Sequence, residues 1–451
     1  MKKLSKFQIL LLTVFGSLGV AGVLVFALAI SRNSNAAIGE VVIWGTFDDN
    51  RISAVLGAAT DSDGRLLGVS YVEKDPTTYE AELADAIASG AGPDLFFVRQ
   101  DMAARNAGKV LRVALDSLSA AQFESTFLAS ANPFLGSEGA VGVPLINDPL
   151  MLFWNRPLLG ASGFTQPPRY WDEVAGMAQV LTVQADAGTI TKSGIALGSY
   201  ANIADAKDIL SALILQAGGN ITEIDENGKI TAALSARGAA TDPVLAALNF
   251  YTQFANPSQD SYSWNRSLPE AQTAFAQGDV GLYIGYASEA ALIRQKNPNL
   301  DFALAPLPQT RSAAIPLTLG RTYALAISRA SKNPQGALTV AYILASPSVS
   351  QGFASVLGVA SSLRAVVAPA APASPAGESA GDTPLDRLVA QAPKSTQDLI
   401  NAQAAIARAW ADPDPIATGD MFRAMIEDTV SGAAKPTDAL SRAEKQLKQI
   451  I

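Results

Sequence analysis

The stretch Val143–Trp171, VPLINDPLMLFWNRPLLGASGFTQPPRYW, decides how this chain is divided. It begins with a Val-Pro pair, passes through the polar Asn147-Asp148, and continues as an apolar run over Leu150–Trp154. The residue before a proline is held extended, and a proline is tolerated near the end of a strand. The pattern therefore predicts a strand that carries the chain out of one packed unit and into another.

On both sides of this stretch, segments typical of strands alternate with segments typical of helices. Glu40–Trp44 and Val69–Glu73 are short and rich in β-branched and apolar residues, as strands are. Thr77–Ser89 has apolar residues at helical spacing, and Thr77 and Glu80 have the spacing of a capping box. Strands that alternate with helices along the chain predict an α/β fold.

Several segments, in this order, resemble the extracellular solute-binding proteins of ATP-driven (ABC) importers, and most of all the carbohydrate-binding branch of that family. They are SGAGPD at Ser89–Asp94, the crossing stretch itself, PPRYWDEV at Pro167–Val174, and GGNITEIDENGKI at Gly218–Ile230. The resemblance extends over residues 40–451. It implies a two-lobe, periplasmic-binding-protein-like fold of type II, in which hinge strands cross between the lobes and the ligand binds in the cleft.

The resemblance also implies a division of the chain into consecutive parts. They are an N-terminal anchor and linker at 1–37, the first part of lobe I at 38–143, the first part of lobe II at 144–314, the second part of lobe I at 315–358, and the C-terminal helices of lobe II at 359–451. Within the last part, residues 365–384 are rich in Ala, Pro and Ser. Such a composition predicts a flexible insert.

The N-terminal segment predicts a single transmembrane helix. Residues 9–30 carry no charged side chain, and as a helix they would extend about 33 Å, enough to cross a hydrocarbon core. Three lysines precede the segment, which orients the N-terminus toward the cytoplasm. We therefore expect a signal anchor in the cell membrane with the body outside the cytoplasm. Small residues up to Ala37 leave cleavage and secretion as the alternative.

The composition excludes several classes of site. The chain has no cysteine and no histidine, so a disulfide framework, a thiolate zinc site, a catalytic cysteine and a Ser-His-Asp triad are impossible. An acylated lipoprotein is excluded for the same reason. The formal net charge is −8 and no basic stripe is present, so nucleic acid is not an expected partner. We expect no cofactor, no metal and a monomer.

The candidate ligand-binding residues follow from the resemblance. Sugar-binding clefts of this family combine aromatic rings, which contact the apolar faces of the sugar, with carboxylates and amides for the hydroxyls. At the positions of this chain that correspond to the cleft, the candidates are Asp48, Asp101, Asn147, Asp148, Tyr200, Trp264, Tyr286, Arg321 and Trp410.

Some of these residues also have a purely structural interpretation. Asp48 and Asp148 are suited to capping turns, and Trp410 to packing against the helix that it ends. Trp264 lies in a polar loop, which favours the cleft. Ser288 and Gly419 stand where stacking tryptophans of the family are expected, so other sugars, polyols and small polar solutes remain open beside maltodextrins.

Three functions are consistent with the sequence. The first is a membrane-tethered receptor that closes on a solute and delivers it to ABC permease subunits, with energy from a separate ATPase because the chain lacks GxxxxGK[ST]. The second is a ligand sensor or scaffold that acts on a membrane signalling partner. The third is a carboxylate-based glycosidase, although nothing in the sequence brings two carboxylates together. We favour the receptor, and we do not expect an enzyme.

Overall fold

The computed structural model describes residues 38–451 apart from 186–187, 226–227, 235–241, 312–314 and 368–394. Over these residues strands alternate with helices, which confirms the predicted α/β class. The strands are β1 (Val41–Gly45), β2 (Val69–Glu73), β3 (Leu95–Arg99), β4 (Val110–Leu111), β5 (Leu135–Gly136), β6 (Gly139–Ala140), β7 (Val143–Asn155), β8 (Val183–Gln184), β9 (Ile190–Ile195), β10 (Thr222–Ile224), β11 (Ile230–Ala232), β12 (Val280–Tyr286), β13 (Phe302–Ala305), β14 (Thr318–Ser328), β15 (Ala360–Ser361) and β16 (Ala407–Arg408).

The helices pack on both sides of the strands. They are α1 (Asp49–Ser62), α2 (Tyr79–Ala88), α3 (Ala103–Asn106), α4 (Ala120–Thr126), α5 (Arg156–Ala161), α6 (Trp171–Leu181), α7 (Ala206–Gln216), α8 (Pro243–Thr252), α9 (Ala271–Ala276), α10 (Glu289–Lys296), α11 (Pro334–Leu344), α12 (Pro347–Leu357), α13 (Arg364–Val367), α14 (Thr396–Ile406), α15 (Pro415–Ser431) and α16 (Pro436–Ile450). Short 3-10 turns join some of them, including Gln100–Met102 after β3 and Ala129–Phe134 before β5.

The main sheet joins two groups of strands through two long central ones. The strand order is β2-β1-β3-β14-β7-β12-β9-β8. β1 pairs in parallel with β2 and β3, whereas β14 pairs antiparallel with β3 on one side and β7 on the other. β12 then pairs antiparallel with β7 and parallel with β9. The adjacent strands β7 and β14 therefore connect one half of the sheet to the other.

Two hydrophobic clusters lie along this sheet. We call them lobe I, with most of its core between residues 41–146 and 324–363, and lobe II, with most of its core between residues 150–319 and 400–447. Ile146 of β7 packs in lobe I and Leu150 of the same strand in lobe II, while β14 passes back with Leu319 in lobe II and Ala324 in lobe I. The residues between the clusters are 147–149 of β7 and 320–323 of β14.

The helix predicted at Thr77–Ser89 is present as α2, but its predicted capping box is not formed. Thr78 precedes the helix, and its hydroxyl donates to Glu82 instead of accepting from the backbone. The hydroxyl and the backbone N–H of Thr77 both donate to the carboxylate of Asp75. Because this carboxylate takes both donors of Thr77, it closes the turn before the helix.

Two predicted segments lie wholly or mainly outside the described residues. The first is the N-terminal anchor at 1–37. Of the insert predicted at 365–384, the first residues belong to α13, where Val367 is buried, and the others lie outside. No single helix of the described chain is long and apolar enough to cross a membrane. α11 and α12 meet those criteria only together, with a bend of 72° between them.

Candidate functional site

A cavity lies where lobe I, lobe II and the crossing strand β14 meet, and its empty volume is ≈ 310 Å³. Its walls come from lobe I (Gln100, Asp101), from β14 (Leu319, Arg321) and from lobe II (Lys207, Asp208, Ala409, Trp410, Asp412). Walls from two lobes are the arrangement in which hinge closure encloses a ligand.

The end of β3 sets the lobe I wall. β3 is buried up to its last residue, Arg99, so the following turn emerges at the carboxyl end of the strand, where open α/β sheets bind ligands. Nε and Nη2 of Arg99 each donate to one oxygen of Asp101 at 2.6 Å. Burial by itself would raise the pKa of Asp101, but the charge and hydrogen bonds of Arg99 hold it below its usual value. Asp101 is therefore ionised and held in place.

The first turn of α7 sets the lobe II wall. Ile209 and its neighbours bury the apolar side of the helix in lobe II, and Lys207 and Asp208 line the cavity. Nζ of Lys207 donates to Oδ2 of Asp412 at 2.6 Å and to the hydroxyl of Thr418 at 2.8 Å. Burial raises the pKa of Asp412 to about 6, against the opposing charge of Lys207. These contacts join α7 to the C-terminal part of lobe II.

Arg321 joins the crossing strand to lobe II. Its Nη2 donates to Oδ1 of Asp205 and to Oδ2 of Asp208, each at 2.7 Å. Its guanidinium carbon lies 3.8 Å from the centroid of the Tyr286 ring, and the Tyr286 hydroxyl donates to the same Oδ2 of Asp208 at 2.8 Å. A planar guanidinium suits this combination of ring stacking and carboxylate binding. Arg321 is thus held at the point where the lobes meet.

A second carboxyl pair lies behind Arg321. Burial raises the pKa of Asp205 well above its ordinary value. The charge of Arg321 opposes the rise, and the nearby carboxyl of Glu289 adds to it. Glu289 also accepts from the Tyr283 hydroxyl and from the backbone N–H of Tyr286. Two carboxyl groups, those of Asp205 and Glu289, therefore lie behind the guanidinium of Arg321.

Asn147 and Asp148 occupy the point where β7 passes between the lobes, and both are buried. Nδ2 of Asn147 donates to the hydroxyls of Ser130 at 2.8 Å and Thr322 at 2.9 Å. The carboxylate of Asp148 accepts from the backbone N–H and the hydroxyl of Ser288, at 3.1 and 2.6 Å. Burial raises the pKa of Asp148 to about 6. Both side chains hold the crossing strands and are not part of the cavity wall.

The structure brings three of the candidate residues together in the cavity wall, namely Asp101, Arg321 and Trp410. They come from the two lobes and the crossing strand, although they are far apart in sequence. Tyr286 lies directly behind Arg321 and is buried. The Trp410 ring packs at a tilt against Phe422, so it combines a structural contact with its place at the cavity.

The remaining candidates lie elsewhere. Asp48 is exposed and caps α1 by accepting from the backbone N–H of Arg51 at 3.0 Å. Tyr200 lines a second cavity, with an empty volume of ≈ 360 Å³, within lobe II. Trp264 is fully buried in lobe II, and its Nε1 donates to Oδ1 of Asn202 at 3.0 Å. The expectation that this ring faces the cleft is thereby corrected, because Asn202 gives the indole the polar partner that its burial requires.

The sequence analysis missed four polar residues of the cavity wall: Gln100, Lys207, Asp208 and Asp412. Lys207 and Asp208 are charged residues in the first turn of an otherwise apolar helix, which is a signal for a site at its end. Gln100 directly precedes a candidate that was identified. Within the described chain, no group of three or more Asp and Glu residues is arranged to hold a metal ion. The wall therefore offers hydrogen bonds, paired charges and one indole ring.

The model of the bacterial extracellular solute-binding protein family matches residues 69–349, which is more than half of the chain. The chain therefore belongs to this family. Because the family consists of binding proteins, the chain is a solute-binding protein and not an enzyme. No curated protein matches the chain in sequence.

Solved structures of solute-binding proteins share the fold. An ABC transporter solute-binding protein from Thermotoga lettingae, bound with α-D-tagatose, aligns with a TM-score of 0.66 at 19% identity, over 91% of this chain and 99% of that one. A cyclo/maltodextrin-binding protein complexed with maltotetraose aligns with a TM-score of 0.68 at 15% identity, over 92% of this chain and 98% of that one. A cyclic α-maltosyl-1,6-maltose binding protein from Arthrobacter globiformis aligns with a TM-score of 0.69 at 18% identity, over 91% of this chain and 98% of that one. The two-lobe α/β fold predicted from the sequence is confirmed.

Proposed function

We propose that this member of the bacterial extracellular solute-binding protein family is the receptor of an ABC importer, that it captures a small polar solute of the sugar class between its lobes, and that it delivers the solute to a permease. The observation that carries the proposal is the cavity with walls from lobe I, lobe II and β14. A ligand in this position contacts both lobes, so binding favours their closed arrangement.

The lobes also contact each other beside the cavity. Nη1 of Arg105, in α3 of lobe I, lies 3.1 Å from Oδ2 of Asp414, which caps α15 of lobe II. Opening the lobes separates these groups, since they belong to different bodies. The ion pair therefore supports a closed state in which the solute is shielded from water.

The solute class rests on two kinds of support. The cavity wall combines carboxylates, an amide, two cations and an indole ring, which is the mixture that polyhydroxylated solutes require. The three structural neighbours bind tagatose, maltotetraose and cyclic α-maltosyl-1,6-maltose. We propose that Asp101, Asp208, Arg321 and Trp410 contact the solute.

The remaining elements of the proposal come from the sequence. In it, the uncharged segment 9–30 anchors the body outside the cytoplasm. The chain changes lobe at 147–149 of β7 and at 320–323 of β14, close to the bounds 143/144 and 314/315 that the sequence predicts. The permease and its ATPase are separate chains, and the receptor acts as a monomer.

A thermal-shift panel tests the proposal. The purified full-length chain, in detergent if it is recovered from membranes, is melted with sugars, polyols, amino acids and short peptides. Because a ligand of the native state raises the melting temperature with the logarithm of saturation, a sugar or polyol is expected to produce the largest shift. A shift only with amino acids or peptides, or with no compound, contradicts the proposed solute class.

A further inference from the structure

The charges around the cavity do not balance. The ionisable groups in or directly behind its wall are Asp101, Asp205, Asp208, Glu289, Asp412, Arg99, Lys207 and Arg321. Asp101 is matched by Arg99, and Asp412 by Lys207. Arg321, however, faces both Asp205 and Asp208, and Glu289 lies behind them. Even with Asp205 protonated, which the rise of its pKa favours, this group keeps one negative charge in excess.

The excess negative charge lies on Asp208, at the surface of the cavity. Both oxygens of Asp101 accept from Arg99, and in Asp412 Oδ2 accepts from Lys207 while Oδ1 accepts from the hydroxyl of Thr418. Asp208 differs, because its Oδ2 accepts from Arg321 and Tyr286 while its Oδ1 accepts no hydrogen bond from the residues that the structure describes. Its side chain keeps 21% exposure. It is therefore a carboxylate of the cavity wall with one oxygen that accepts no hydrogen bond from the described residues.

The neighbouring cation does not neutralise Asp208. Nζ of Lys207 donates to the carboxylate of Asp412, the hydroxyl of Thr418 and the carbonyl of Pro415. An ammonium group has three N–H donors, so these contacts use all of them. The charge of Lys207 is thereby directed away from Asp208 and toward the C-terminal segment of lobe II.

Two residues of the wall keep N–H donors for uncharged polar groups of a ligand. Gln100 is only 7% exposed and lines the cavity. Its Oε1 accepts from the backbone N–H of Thr322, while its Nε2 donates to no other described residue. Arg321 donates to described residues through Nη2 alone, so Nε and Nη1 are available. A ligand whose hydroxyl oxygens accept from these N–H groups gains hydrogen bonds at the cavity wall.

We propose that the cavity takes a polyhydroxylated solute that carries a protonated amine, with the amine on Asp208 and hydroxyl oxygens on Gln100 and Arg321. This inference rests on the proposed function and specifies its solute. A cation beside Asp208 balances the charge of the site, and the pairing is strengthened when closure of the lobes removes water from it. A carboxylate-bearing solute would add a second unbalanced negative charge, so the cavity discriminates against it.

The test compares sugars that differ only in charge. D-glucosamine, D-glucose and D-glucuronate, with their β-1,4-linked disaccharides, are titrated into the full-length chain by calorimetry at about pH 6, where an amino group of this kind is protonated. The amine form of a pair is expected to bind most tightly and the acid form least. Asp208→Asn is expected to weaken the amine form by about tenfold or more and to change the neutral form much less.

Asp260→Asn is the matched control, because Asp260 is an exposed residue of a lobe II loop and its substitution makes the same change of net charge. It is expected to keep the preference for the amine form. Equal or tighter binding of the neutral or acid form overturns this inference and leaves the proposed function standing. Absence of binding by every sugar overturns both. If Asp208→Asn does not fold, the order of the three forms on the unmodified chain decides alone.

Discussion

Arg105 and Asp414 form an ion pair between the two lobes, with Nη1 of the arginine 3.1 Å from Oδ2 of the aspartate. The other oxygen of Asp414, Oδ1, accepts from the backbone N–H groups of Ile416 and Ala417. One carboxylate thus caps a helix of lobe II and holds a side chain of lobe I. The pair forms a latch beside the cleft whose release accompanies opening.

The first prediction concerns this latch. Arg105→Ala is expected to speed dissociation of the solute and to weaken binding by about 0.2–1 kcal/mol, the usual strength of a partly exposed ion pair. Added salt is expected to reduce the difference, because salt screens the pair. Arg51→Ala is the control, since Arg51 is an exposed residue of lobe I. Dissociation rates that are the same for Arg105→Ala and the unmodified chain at low salt contradict the latch.

The second prediction concerns Asp148. Burial raises its pKa to about 6 in the folded chain, above the value of about 3.9 in an unfolded chain. The stability that this group contributes is therefore full below the unfolded pKa and is lost as the pH rises through about 6. Asp148→Asn avoids this loss and keeps partners on Ser288. Its free energy of unfolding, relative to the unmodified chain, is expected to rise by at most about 3 kcal/mol from pH 4 to pH 7.5.

Urea denaturation at both pH values measures this effect. Asp260→Asn, which removes an exposed carboxylate, is expected to follow the unmodified chain at both. A difference between Asp148→Asn and the unmodified chain that stays constant with pH would show that the carboxyl is not buried at the crossing.

The third prediction concerns Trp264. Because its ring is fully buried and its indole N–H is bonded to Asn202, Trp264→Ala is expected to lower the free energy of unfolding by about 3–5 kcal/mol. Trp44→Ala, which removes a partly exposed ring of lobe I, is expected to cost less. Denaturation of the ligand-free chain makes the measurement. A small loss of stability combined with weaker solute binding would show instead that the Trp264 ring contacts the solute in the cleft.

The fourth prediction concerns the N-terminal segment. If residues 9–30 anchor the chain, protein recovered from membranes is expected to begin near Met1 and to withstand a salt wash, because a spanning helix is held by the hydrophobic effect. Mass spectrometry of the intact chain gives its start. A mature chain that begins near Ala37 and is found in the soluble fraction contradicts the anchor.

The parts of the fold that were predictable depend on local patterns. β1, β2 and the passage of β7 between two bodies follow from β-branched runs and from the residues around Pro144 and Pro149, all of which are neighbours in sequence. The failed capping box shows the limit of this approach. Thr77 has the right spacing to Glu80, but its backbone N–H, which Glu80 would accept from in a capping box, donates to Asp75 instead.

The site depends on contacts between residues that are distant in sequence, and these were predictable only in part. Asp101 and Arg321 were identified because each follows a strand or a crossing. The pair of Lys207 and Asp412 spans 205 positions, so no local pattern indicates it. The burial of Trp264 likewise depends on Asn202, 62 positions earlier. The polar loop around Trp264 therefore suggested that its ring is exposed, whereas Asn202 provides a hydrogen-bond partner that allows the ring to be buried.

The most direct test of the central claim is calorimetric titration of the best solute from the thermal-shift panel into the unmodified chain, Trp410→Ala and Trp154→Ala. Trp410 lines the cavity, whereas Trp154 lies near the end of β7 beside Arg156. Loss of the Trp410 ring is expected to weaken binding by about tenfold, as for other ring contacts, with Trp154→Ala close to the unmodified chain. An affinity that Trp410→Ala leaves unchanged would contradict capture of the solute between the lobes.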